Sequence, residues 1–166
     1  MAVDSYFKIN QLDMTQDFVR DEEVLYRCIF FDSKNWYRIE EKTASISSQA
    51  FADKEMCPSV DRASLCDNDP CYSQKDEKDA VVSLITQDVR LLKNVIQNNS
   101  KGELEFTYKI DVLPRPCENN QAHAQIEPSP EYKNQTPFKK LRERLAYLAN
   151  QRGWEIKPYE LRHINE

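Results

Sequence analysis

Two glycines, Gly102 and Gly153, serve a chain of 166 residues. Few positions can therefore turn sharply through the left-handed region or let backbone approach a ligand closely. Whole classes of function fall away. A phosphate-binding loop needs paired glycines beside a lysine, a dinucleotide fingerprint needs a close glycine triplet, and a nucleophile elbow needs glycines flanking a serine. None of these can be built here. The histidines are also only two, His123 and His163. That excludes three-histidine zinc sites and the helical H-E-x-x-H motif.

The start of the chain lacks a basic segment followed by an apolar run, and no apolar stretch approaches the roughly 18 residues of a spanning helix. The expectation is a soluble, cytoplasmic protein. Five cysteines at irregular spacing argue against a disulfide framework and agree with a reducing compartment. Cys66 and Cys71, with Cys117 and His123, have usable ligand spacing for zinc. They lack the tighter pairs and the knuckle glycine of a zinc module, so neither a metal nor a cofactor is expected.

The hydrophobic pattern predicts α+β: a single compact domain with a small sheet of short strands, one central helix and one C-terminal helix. Residues 13–23 read as an acidic arm or short helix. Residues 24–31 are apolar on both faces and read as a buried strand. Further extended pieces are expected at 36–39, 44–51, 59–62, 80–85, 104–110 and 122–126. Residues 67–79 read as a surface loop. Thr86 resembles a helix cap, and Val89, Leu92, Val95 and Ile96 keep helical spacing behind it; one continuous helix from Ala80 is the rival, since Val81, Ile85, Val89, Leu92 and Ile96 keep that period too. The turn at 98–102 would end that helix. Pro128-Ser129-Pro130 reads as the start of a linker. Thr136-Pro137 opens the best helix, with Phe138, Leu141, Leu145 and Leu148 as its apolar stripe and Gly153 as its stop. The organisation expected is an α+β core over 1–132 and a basic helix and tail over 133–166, packed on the same core.

Arg27 lies inside the most apolar strand, where a cation needs a partner. It reads as an anion binder at the floor of a cleft, as a member of an internal pair with a carboxylate such as Asp61, or as part of a strand with one wet face. Ser47 and Ser48, and the Ser59-Val60-Asp61-Arg62 run, could hold a phosphate, a ribose or a peptide. Turn chemistry explains them equally well. His123, between two alanines, fits a half-buried strand and could pair with Cys117 or Asp61.

Charge is uneven. Residues 1–132 hold 15 Lys and Arg against 24 Asp and Glu, and residues 133–166 hold 8 against 4. Lys139, Lys140, Arg142 and Arg144 lie off the leucine stripe and could grip nucleic-acid phosphates or a protein partner. A solvated helix face is the simpler reading, because a net charge of -5 repels nucleic acid.

Two resemblances follow from these residues. Leu25-Tyr26-Arg27, Ser47-Ser48 with Ala50 and Phe51, and Glu103-x-Glu105 resemble the Arg, Ser-Thr-Ser and Glu-x-Glu order of ADP-ribosyltransferases. Ser-Ser stands here for Ser-Thr-Ser, and Glu103 and Glu105 share the solvent side of an alternating strand. That resemblance implies Arg27 on a cofactor diphosphate, Ser47 bracing the pocket and Glu105 at the ribose. The runs Ser47-Ser48-Gln49-Ala50-Phe51, Pro58-Ser59-Val60-Asp61-Arg62 and Ala122-His123-Ala124 resemble a group of small uncharacterised prokaryotic proteins. This implies a stand-alone domain in which Ser48, Asp61, Arg62 and His123 converge, and brings no activity with it. The leading expectation is a binding or adaptor domain with a polar pocket formed by Arg27, Ser48, Asp61, Arg62 and His123, acting with a protein partner. The alternatives are a small nucleotide-directed enzyme, with Arg27 as anion clamp and Glu105 or His123 as acid–base group, and nucleic-acid binding through the C-terminal helix.

Overall fold

The computed structural model describes residues 18–164. Six strands form one antiparallel sheet in the order β10–β5–β1–β4–β9–β8. They are β1 Val24–Ile29, β4 Ser59–Arg62, β5 Ala80–Ile85, β8 Lys109–Pro114, β9 His123–Ser129 and β10 Trp154–Ile156. Two hairpins stand outside the sheet: β2 Tyr37–Glu40 with β3 Thr43–Ile46, and β6 Ile96–Asn98 with β7 Leu104–Thr107. The helices are α1, Thr86–Arg90, and α2, Gln135–Arg152.

The central pair explains the layout. β1 pairs with β5 over six residues and with β4 on its other side. Strand alternation sends Leu25, Arg27 and Ile29 to one face and Val24, Tyr26 and Cys28 to the other. The first face meets Val82 and Leu84 of β5, Val60 of β4 and Ile126 of β9, and α2 lies across it. Phe138, Leu141 and Leu145 of α2 are at most 2% exposed. Each such side chain contributes about 1.5–3 kcal/mol through burial. Ala146 and Ala149 bring the helix close to the sheet, and Leu148 is half-buried at its rim. The basic segment thus packs on the same core as residues 18–132. No helix among the described residues is long and apolar enough to cross a membrane.

The second face carries a smaller apolar cluster, Tyr26, Val81, Ala63 and Cys66, beside polar side chains. Over it runs the segment 63–79, folded into two 3₁₀ turns. The Asp79 carboxylate pins that segment, accepting from the backbone N–H groups of Phe31 (3.0 Å), Lys75 (3.0 Å) and Asp76 (2.9 Å). Arg162, near the C-terminus, donates to the carbonyls of Glu77 (2.6 Å) and Asp79 (2.7 Å).

Several local expectations need correction. Of the acidic stretch, 13–17 lies outside the described residues, and 18–23 is not helical. Residues 44–51 divide into β3 and a 3₁₀ turn, Ser48–Phe51. Helix α1 ends at Arg90, and Ile96 already belongs to β6. Thr86 sits inside that helix, with its hydroxyl donating to the Glu23 carbonyl (2.9 Å). The turn at 98–102 joins β6 to β7, with Gly102 at φ 79°. Residues 104–110 are two strands that break at Tyr108. β9 continues through Pro128 to Ser129, so no linker begins there. Asn134, rather than Thr136, caps α2, its side chain accepting from the Thr136 N–H (3.0 Å).

Candidate functional site

Arg27 is buried on the helix-covered face and donates to three backbone carbonyls: Ala50 (3.0 Å), Ser59 (2.8 Å) and Ala52 (3.3 Å). Trp36 and Phe51 flank its guanidinium at 5.2 and 5.9 Å. Removal from water pulls its pKa down to about 10. Carbonyl dipoles and ring faces compensate this cation, so it acts as a staple holding β1 to β4 and to the Ser48–Phe51 turn. The expected pairing with Asp61 does not occur. Arg62 is 1% exposed and grips Glu23 in a two-pronged bond at 2.7 and 2.9 Å. A further bond reaches the Phe18 carbonyl (3.1 Å).

The ADP-ribosyltransferase-like arrangement does not assemble. Ser47 spends its hydroxyl on the Asn35 carbonyl and caps the following turn at the Gln49 N–H (3.2 Å). Ser48 begins that turn, which packs against α2. Glu105 sits exposed on the β6–β7 hairpin, paired with Lys133 (3.0 Å). Arg27 borders a cavity that includes neither Ser47 nor Glu105.

The expected convergence of Ser48, Asp61, Arg62 and His123 is half realised. Asp61 and His123 are directly opposite each other on β4 and β9, on the second face. Arg62 projects to the other side, as alternation requires. Asp61 is buried and accepts from the Ser73 hydroxyl (2.6 Å) and the Asn120 amide (2.7 Å). It thereby ties the overlying segment and the turn before β9 to the sheet.

Sequence reasoning gave His123 the wrong partners. Its Nε2 lies 3.1 Å from Ser59 Oγ, and its Nδ1 lies 2.7 Å from the Arg115 carbonyl oxygen. Ser59 opposes Gln125 while His123 opposes Asp61, so Ser59 and His123 are diagonal neighbours on one face. Diagonal positions are roughly 7–8 Å apart, within reach of an imidazole. A carbonyl can only accept. The neutral ring therefore carries its hydrogen on Nδ1 and offers the Nε2 lone pair to the Ser59 hydroxyl.

Ser59, Asp61, Ser73, Lys75 and His123 line one cavity of about 240 Å³, with Tyr26, Arg27 and Cys28 in its wall, so Arg27 meets Asp61 and His123 there as the sequence led one to expect. Burial and the neighbouring Asp79 carboxylate push the Cys28 thiol up to about 12, so it stays protonated and unreactive. Burial likewise raises the Tyr26 phenol. Among the described residues, no group of three or more His, Cys, Asp or Glu side chains is arranged to hold a metal ion.

No protein-family model, curated protein or solved structure matches the chain. The site is thus read from its own chemistry.

The basic residues of α2 do not form one surface. At about 100° per residue, Lys140 and Arg144 share a flank and Arg142 lies on the other. Arg142 donates to Gln49 (3.2 Å) and stacks over Phe138 (5.1 Å). Lys140 pairs with Glu143 (3.7 Å), while Lys139 is exposed.

Proposed function

We propose that this is a binding or adaptor domain whose cavity over β1, β4 and β9 receives a small polar guest, a side chain presented by a protein partner. The convergence of Ser59, Asp61, Ser73, Lys75 and His123 on one cavity carries this reading. Its volume, about 240 Å³, is below the roughly 300–1,000 Å³ of sites for drug-sized ligands. A space of that size suits one side chain. The wall offers hydroxyls, an imidazole, a carboxylate and an ammonium, so an uncharged guest with both donors and acceptors satisfies it best. Five free thiols support a reducing, cytoplasmic setting. The scattered bases of α2 give nucleic-acid binding little support.

The test is chemical-shift mapping with a panel of N-acetyl amino-acid amides. Shifts centred on Ser59, Asp61 and His123, and abolished by His123→Phe, support the reading. Shifts confined to a second cleft, between the β6–β7 hairpin and the start of α2 and lined by Gln97, Asn98, Asn134 and Thr136, or no shifts at all, count against it.

A further inference from the structure

We propose that Ser59 is a nucleophile activated by His123, and that the cavity takes a short carboxylic ester. The inference rests on the reading of this cavity as open to a guest, and goes on to name the chemistry. The Ser59 hydroxyl lies 3.1 Å from Nε2, within the range for proton transfer to a base. The Arg115 carbonyl fixes the opposite nitrogen at 2.7 Å, so the ring is held in the tautomer that accepts a proton. Nucleophile, base and orienting group are thus present in sequence, and both reacting side chains face the same cavity.

The step balances without a further reagent. Ser59 Oγ bonds to the ester carbonyl carbon as its proton passes to His123 Nε2. The carbonyl oxygen takes up negative charge, and Lys75 on the cavity wall supplies the opposing charge. The C–O bond to the leaving alkoxide then breaks, and that oxygen takes the proton from Nε2. Water attacks acyl-Ser59 by the same route, releasing the acid and restoring the hydroxyl. A carbonyl, not a carboxylate, backs the imidazole. It stabilises the transient imidazolium by a dipole and not by a full charge, so turnover is expected to be slow. The Cys28 thiol in the same wall does not compete, since Asp79 holds it at 3.5 Å and it stays protonated.

The experiment uses the full chain with a fluorophosphonate probe, the adduct being located by mass spectrometry. A parallel assay follows the nitrophenolate released from 4-nitrophenyl acetate. The expected results are an adduct on Ser59 and a burst near one equivalent per chain. Ser59→Ala should lose both. His123→Gln should slow labelling about a hundredfold, and Lys75→Ala should slow acylation. Melting temperatures within a few degrees of the parent exclude unfolding as the cause. An adduct on another residue, or unchanged labelling in His123→Gln, overturns the proposal. If the acetyl amides shift Ser59 and His123 signals but no adduct forms, the nucleophile is refuted and the binding pocket stands. If neither occurs, both readings fail.

Discussion

On the helix-covered face of the sheet, Arg27 and Arg62 are buried and fully engaged, one by carbonyls and aromatic rings, the other by Glu23. On the opposite face, Ser59, Asp61 and His123 border open space under the 63–79 segment. Both faces carry polar groups on the same central strands. Protein groups bond the polar side chains on both faces, and they differ in what lies beside them: packed core on the first, an open cavity on the second. A buried cation in an apolar strand is a weak pointer to a ligand, because the fold must satisfy it before any guest arrives. Polar groups beside an unfilled space are the stronger pointer, and here Asp61 lies one residue away from the conspicuous Arg62.

Substitutions on the two faces should separate stability from binding. Arg62→Ala strands the Glu23 carboxylate, whose side chain is 10% exposed. A loss of about 3–5 kcal/mol is expected in urea unfolding. Arg27→Met leaves three carbonyls without their donor but no stranded charge, and should cost less, about 2–3 kcal/mol. If either variant kept its stability and lost guest binding instead, the division between the faces would collapse.

The thiols divide along burial. Cys71 and Cys117 are exposed, whereas Cys28, Cys57 and Cys66 are not. At pH 8 a disulfide reagent should modify the two exposed thiols quickly and the other three only on unfolding. Burial raises Cys28 from 9.0 to about 12, and Cys57 and Cys66 to about 11. The native state holds these protons longer than the unfolded chain does. The corresponding stability is present below pH 9 and is lost as the pH rises through 11, so melting temperature should fall over that interval. A flat profile would mean that the three thiols are open to water.

The smallest effect is expected at the cavity. Ser59 is half-buried, and Ser59→Ala should change stability by less than about 0.5 kcal/mol while altering guest binding. Equal losses in Ser59→Ala and Arg27→Met would make the serine another structural bond.

Much of this architecture could be read from residue patterns. The apolar run of β1, the short strands β4 and β5, and the stripe of Phe138, Leu141 and Leu145 each carry a period that burial enforces. Ambiguity arose where two structures share one chemistry. Gly102 with φ above zero suits a helix end and a hairpin turn alike, and Val89 to Ile96 fits either continuation. Asn134 and Thr136 are both good caps, and Pro137 is tolerated behind either, because the first turn has spare N–H groups. The site was harder to foresee. Asp61 and His123 carry capable side chains, and so do Ser47, Ser48 and Glu105. Only strand register decides which of them meet. Ser59 and His123 are 64 residues apart, and their contact depends on the diagonal offset between β4 and β9.

The tautomer of His123 tests the geometry of the polar face most directly. Long-range proton–nitrogen correlation spectra of the neutral imidazole should show hydrogen on Nδ1, with Nε2 bare towards Ser59. Hydrogen on Nε2 would break the Arg115 anchor, leave Ser59 without a base and contradict the account.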